Sequence, residues 1–217
     1  MEIALGGLGL LILGGVVASR ASVTDPTTVA IQGGTQSGKA TYTSTSTLPR
    51  SENQAEGATF SFDGWFEVND FTYGTGTQRT IFKRGDCPGL YLASQSGSIL
   101  VVVNTYGATE SILIDNIPAQ KWIHIAIVVT QYTVDVYING LLRRHHTLTQ
   151  LPKQVDAHTQ IGDSTHGFDG QVGGLTYYAR ALSASEVSTH AARSAPASLK
   201  QAPPSGQYLA LDWYTAS

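Results

Sequence analysis

The clearest pattern in this chain is the run Trp122–Val129, in which neither face is polar. Trp122, His124, Ala126 and Val128 fall on one side and Ile123, Ile125, Ile127 and Val129 on the other, so the segment predicts a central strand covered on both faces. Val134, Val136 and Ile138 then alternate with polar positions and lead into Asn139-Gly140. That dipeptide tolerates positive φ at both central positions of a tight hairpin, so the chain is expected to turn back there into LLRRHH. Upstream, FSFDGWFEV reads as a phenylalanine-rich strand. Downstream, a run through Val172, Leu175 and Tyr177 passes into Ala181-Leu182. Ser183-x-x-Glu186 follows in the form of a capping box, predicting a short surface helix after the last core strand.

Three stretches depart from this alternation. Ile3–Ala18 has no charged or strongly polar side chain. Ile3, Leu5, Leu8, Leu10, Leu11, Ile12, Leu13, Val16 and Val17 make it a candidate transmembrane anchor over residues 1–20. As a helix it is roughly 24 Å long, short of the roughly 30 Å hydrocarbon core. A cleaved signal peptide is the rival, with Val16-x-Ala18 as cleavage site, but Glu2 stands where a basic residue is expected, which favours retention. Residues 21–57 are rich in Thr, Ser, Gly and Gln and read as a tether, with Thr41-Tyr42-Thr43 as one edge strand. Residues 194–217 contain Pro196, Pro203 and Pro204, so they should cross a surface before ending in an aromatic cluster, Tyr208, Trp213 and Tyr214. That cluster either docks on its own domain or binds a neighbour.

Taken in order, FSFDGWFEV, Trp122-x-His124, Tyr137-x-Asn139-Gly140, Ile161-Gly162-Asp163, Phe168-Asp169-Gly170 and Ala181-Leu182-Ser183-x-x-Glu186 resemble laminin G-like, concanavalin A-like jelly-roll domains. The resemblance covers about Ala58 to His190, within a domain placed at residues 58–193. It implies an all-β fold, two antiparallel sheets packed as a sandwich. A domain of this kind behind an N-terminal hydrophobic segment also resembles minor capsid or virion membrane proteins of large icosahedral DNA viruses.

Charge is sparse, with 13 Lys+Arg against 16 Asp+Glu, and carries no basic stripe, which argues against a nucleic-acid partner. Cys87 is the single cysteine, so no intrachain disulfide forms. None of the asparagines heads an Asn-x-Ser/Thr acceptor. Both features lean toward a reducing compartment. Arg20 and Lys39 after the hydrophobic run, against Glu2 before it, place the globular part on the cytoplasmic side of a membrane.

Catalysis finds little support. The concanavalin A-like fold also hosts β-glucanases, whose Glu-x-Asp-x-x-Glu pattern is missing here, and Glu67 and Asp70 are expected on opposite faces or beyond a strand end. No Gly-x-Ser-x-Gly elbow occurs. No cofactor is expected. The resemblance to laminin G-like domains, whose relatives can hold calcium at the rim, implies calcium as a minority option at Asp86, Asp163 and Asp169, of which the last two read better as turn residues bonding their own backbone. His145 and His146 point to opposite faces, and His124 reads as a buried core residue. Arg143, Arg144, His145 and His146 form the densest positive cluster, a solvated edge strand or a contact for an acidic protein or lipid surface. Tyr73, Tyr106 and Tyr132, expected in loops, could stack on sugar rings.

The sequence therefore points to a non-enzymatic, membrane-anchored structural or interaction protein. The resemblance implies a virion scaffold linking an internal membrane to capsid proteins. The alternative is a tethered lectin-like module for glycans, with a glucanase-like hydrolase third.

Overall fold

A computed structural model describes residues 25–51, 58–95 and 97–199. The proposed anchor and the aromatic end of the chain, Tyr208, Trp213 and Tyr214, lie outside these residues. Among the described residues no helix is long and apolar enough to cross a membrane.

Two antiparallel sheets form a sandwich. One joins β1 (Thr28–Ala30), β13 (Asp169–Tyr178), β4 (Phe60–Asp70), β9 (Trp122–Val129), β10 (Thr133–Ile138) and β11 (Leu141–Thr147) in that order, with β2 (Thr35–Ser37) also on β13. The other joins β3 (Tyr42–Thr43), β12 (Thr159–Ile161), β5 (Arg79–Arg84), β6 (Gly89–Leu92), β7 (Ile99–Asn104) and β8 (Thr109–Ile114). Phe60, Phe62, Phe66, Ile123, Ile125 and Ile127 of the first sheet face Ile81, Leu90, Ile99, Val101 and Ile112 of the second, all buried in one core. Phe62 stacks on Phe82 with ring centres 5.3 Å apart.

The central strand β9 is covered on both sides, as its composition requires. Its outer residues Ala126 and Val128 lie in a second apolar cluster with Tyr137, Tyr178, Leu182 and Val187. Val187 comes from α1 (Ala184–Ala191), whose N-cap Ser183 and Glu186 complete the capping box expected from their spacing. The β10–β11 turn has φ of 50° at Asn139 and 81° at Gly140, the backbone that Asn-Gly accommodates at least cost. Asn139 also accepts from the His124 main-chain N–H at 3.0 Å and so ties the hairpin to β9.

The structure differs from the sequence expectation between residues 25 and 51. The expected tether carries β1, β2 and β3, which extend both sheets. Alternation over two or three residues is too short to detect, and the strands are made by pairing with β12 and β13 more than a hundred residues away. Residues 194–199 cross the outer face of the first sheet. There Trp122 Nε1 donates to Ser198 Oγ at 2.9 Å, and the Leu199 N–H donates to Gln171 Oε1 at 2.8 Å.

Candidate functional site

Strand register gathers four segments at one end of the sandwich: residues 44–51, the β7–β8 turn at 105–108, the β9–β10 turn at 130–132 and the long β11–β12 connection at 148–158. The connection is fastened along its length. Leu148 N–H donates to Tyr132 O at 2.7 Å, Tyr106 N–H to Leu151 O at 3.0 Å, and Lys153 N–H to Asn104 O at 2.9 Å. Glu110 accepts from both the N–H and the hydroxyl of Thr149 at 2.8 Å, and lies 2.6 Å from His146 Nε2. Burial pushes the Glu110 pKa upward, but these hydrogen bonds outweigh it and hold the carboxyl below its ordinary value.

Tyr106 and Tyr132 stand out from this frame, 73% and 61% exposed. Tyr106, Leu151 and Pro152 line an open cleft of about 430 Å³ together with Arg50, Ser51, Ala58, Gln131 and Gln154. A second cleft of about 190 Å³ is lined by Ser46, Thr47, Leu48, Arg84, Asp156, Ala157 and His158. The two meet at a surface ion pair, Arg50 Nη2 to Asp156 Oδ2 at 2.6 Å. The Arg50 hydrogen bond and charge lower the Asp156 pKa, and Asp156 in turn raises that of Arg50. Aromatic faces beside amide and guanidinium donors suit a ligand that is apolar on one side and rich in hydroxyls on its edge.

The structure separates residues that the sequence grouped. Tyr73 lies at the opposite end of the sandwich, in the β4–β5 loop, with Lys39 Nζ 4.5 Å from its ring centre. It shares no surface with Tyr106 and Tyr132. The three calcium candidates also divide: Asp86 sits at the rim end, bonded by Asn104, while Asp163 and Asp169 sit at the other end. Asp163 accepts from the N–H groups of Thr165 and His166 at 2.8 and 3.0 Å, as a turn residue does. Asp169 instead pairs with Lys39 Nζ at 3.0 Å. Among the described residues no group of three or more His, Cys, Asp and Glu side chains is gathered as a metal site.

Arg143–His146 occupy β11, at the edge of the first sheet. His145 pairs with Asp135 on the neighbouring strand, and His146 reaches Glu110 on β8 of the other sheet. Both imidazoles thus have carboxylates beside them, and the cluster offers less free positive charge than its sequence suggests. His124 is buried under α1, its Nε2 3.0 Å from Asp63 Oδ2, which also lies 3.3 Å from His190 Nδ1. Neither contact is aligned as a hydrogen bond. Glu67 accepts from Gln171 Nε2 at 2.8 Å on the outer sheet face, and Asp70 accepts from the Thr72 N–H at 2.7 Å at the end of β4. Both carboxylates are engaged in holding local structure.

Two antiparallel sheets in jelly-roll order, with clefts formed by the loops at one end, define a lectin-type β-sandwich. The chain belongs to the concanavalin A-like lectin/glucanases superfamily, whose family model matches residues 34–188, more than half of its length. No curated protein matches the chain. Among solved structures it is similar to the receptor binding domain of botulinum neurotoxin D, at 13% identity and a TM-score of 0.56 over 76% of this chain and 42% of that one. It is also similar to the receptor binding domain of the botulinum neurotoxin C/D mosaic serotype, at 16% identity and a TM-score of 0.52 over 61% of this chain and 35% of that one. The chain thus spans well under half the length of these structures, and at such identities the likeness concerns the fold.

Proposed function

We propose that this protein is a non-enzymatic binding module whose rim cleft beside Tyr106 holds a saccharide. The observation that carries the proposal is an open cleft of about 430 Å³ lined by the highly exposed Tyr106, with the exposed Tyr132 next to its lining residue Gln131, on loops fixed by main-chain hydrogen bonds. Large aromatic side chains normally withdraw from water, and a rigid frame that displays them favours contact with a partner. That the similar structures are receptor binding domains supports attachment over catalysis. So does the engagement of Glu67 and Asp70 in local hydrogen bonds.

A glycan array with the full chain tests this. Reproducible binding to a defined class of saccharide is expected, weakened about tenfold or more in Tyr106→Ala with the fold unchanged. Binding that survives Tyr106→Ala, or silence across the array, counts against the saccharide reading. A second reading is a scaffold anchored through residues 3–18 in an internal virion membrane, with the sandwich on the cytoplasmic side contacting capsid proteins. The exposed Leu141 and Leu142 at the start of edge strand β11 favour it, because an open edge with apolar side chains is suited to another protein. Silence on the array leaves this second reading standing.

A further inference from the structure

The strand β5 has a buried arginine at each end, and the two are satisfied differently. Arg79, at the end remote from the rim, donates through its terminal nitrogens to the main-chain carbonyls of Phe71 and Ala93 at 2.9 and 3.0 Å and also to that of Tyr73, while its Nε is buried without a partner among the described residues. Arg84, at the rim, is only 4% exposed. Its hydrogen bonds among the described residues are long, 3.4 Å from Nε to Ala157 O and 3.5 Å from Nη2 to Leu48 O, outside the usual range for N–H···O. The guanidinium carbon lies 5.2 Å from the centre of the Tyr177 ring.

Among the described residues no carboxylate forms an ion pair with Arg84. Asp156 lines the same cleft and is near enough to feel the Arg84 charge, but its carboxylate is held by Arg50 at 2.6 Å. A guanidinium carries five N–H donors in a planar fork, and a charge removed from water without a counter-charge is costly. Arg84 and Leu48 are the buried members of the 190 Å³ cleft, while Thr47, Asp156 and His158 are exposed at its mouth. The cleft is smaller than a site for a whole organic ligand. It has room for one small charged group, opposite a fork suited to bidentate contact with an oxyanion.

We infer that this cleft is an anion subsite and, resting on the saccharide reading of the adjoining rim, that it takes the carboxylate or sulfate ester of an acidic saccharide whose ring lies against Tyr106. The Arg50–Asp156 pair between the clefts keeps the acidic wall neutralised, so that Arg84 sets the sign of the group admitted.

Titration calorimetry on the full chain tests the inference, using a neutral oligosaccharide and the same backbone bearing either uronic acid or sulfate ester, at low and high salt. An acidic form should bind about tenfold or more tightly than the neutral one, with the preference shrinking at high salt. The two acidic forms separate the two sources of the anion. Arg84→Gln should abolish the preference. Thr47→Glu should abolish it as well, by placing a carboxylate at the exposed mouth without touching the core. Equal affinity for neutral and acidic forms, or a preference unchanged in Thr47→Glu, overturns the anion subsite. If no saccharide binds, inorganic sulfate separates the two failures. A saturable rise in melting temperature seen in the parent but not in Thr47→Glu retains the anion subsite and removes the saccharide. No such rise removes the subsite as well.

Discussion

Cys87 illustrates how strongly position governs a single side chain in this sandwich. It is buried, and burial pushes its thiol pKa up to about 11. Since the thiolate is the nucleophile, the folded chain should resist alkylation by iodoacetamide at pH 8 while the denatured chain is modified completely, a contrast read by mass spectrometry. Fast modification of the folded chain would show that the thiol is accessible. Sequence made other residues legible to different degrees. His124 could be read as buried because it lies in a strand apolar on both faces. Its neighbour Asp63 could not, because an aspartate alternating outward on β4 ordinarily meets water. Only the arrival of α1 covers it and brings His190 within 3.3 Å. Tyr106 and Tyr132 were legible as loop aromatics, whereas their separation from Tyr73 depends on which end each loop occupies. Arg84 looked like any charged residue at a strand end, and its lack of a carboxylate partner among the described residues is a property of the folded cleft.

At the scale of elements, α1 shows what local spacing can specify. Ser183 and Glu186 bond reciprocally across the first turn, and Glu186 also receives Arg180 at 2.8 Å. The Arg180 hydrogen bond is the largest of the effects that lower the Glu186 pKa to about 2. A carboxyl depressed in the folded state adds stability that is fully present above its ordinary value and disappears as pH falls toward the folded value. Hydrogen exchange in Ala184–Ala191, corrected for intrinsic rates, should therefore accelerate relative to β9 as pH falls from about 4.5 toward 2. Glu186→Gln should flatten that dependence, and an unchanged pH profile in the variant would refute it. The short strands β1 to β3 are the opposite case. Their residues have no apolar period of their own; β2 pairs with Gln171–Gly173 and β1 with Thr176–Tyr178 of β13, on either side of the place where the β13–β4 register shifts. Gly174 there adopts a φ of 62°, open to glycine at little cost.

For the whole molecule, the alternating apolar residues specified the core and the fold class, while the order of strands came only from their pairing. A chain shortened to begin at Ala58 would lose all three N-terminal strands, leaving the β13 and β12 edges open. It should melt at a lower temperature than the full chain and associate through those edges, as followed by calorimetry and light scattering. Equal melting temperatures would mean that β1 to β3 add nothing to the sandwich. The register of β1 has a further consequence. Thr28 pairs with Tyr178, at the end of β13 nearest the two clefts. If residues 3–18 are held in a bilayer, the six residues between them and Asp25, which is docked on Arg180, can reach about 22 Å at most. The clefts would then sample molecules borne by their own supporting surface far more often than those on an opposing one, as a short leash raises local encounter concentration.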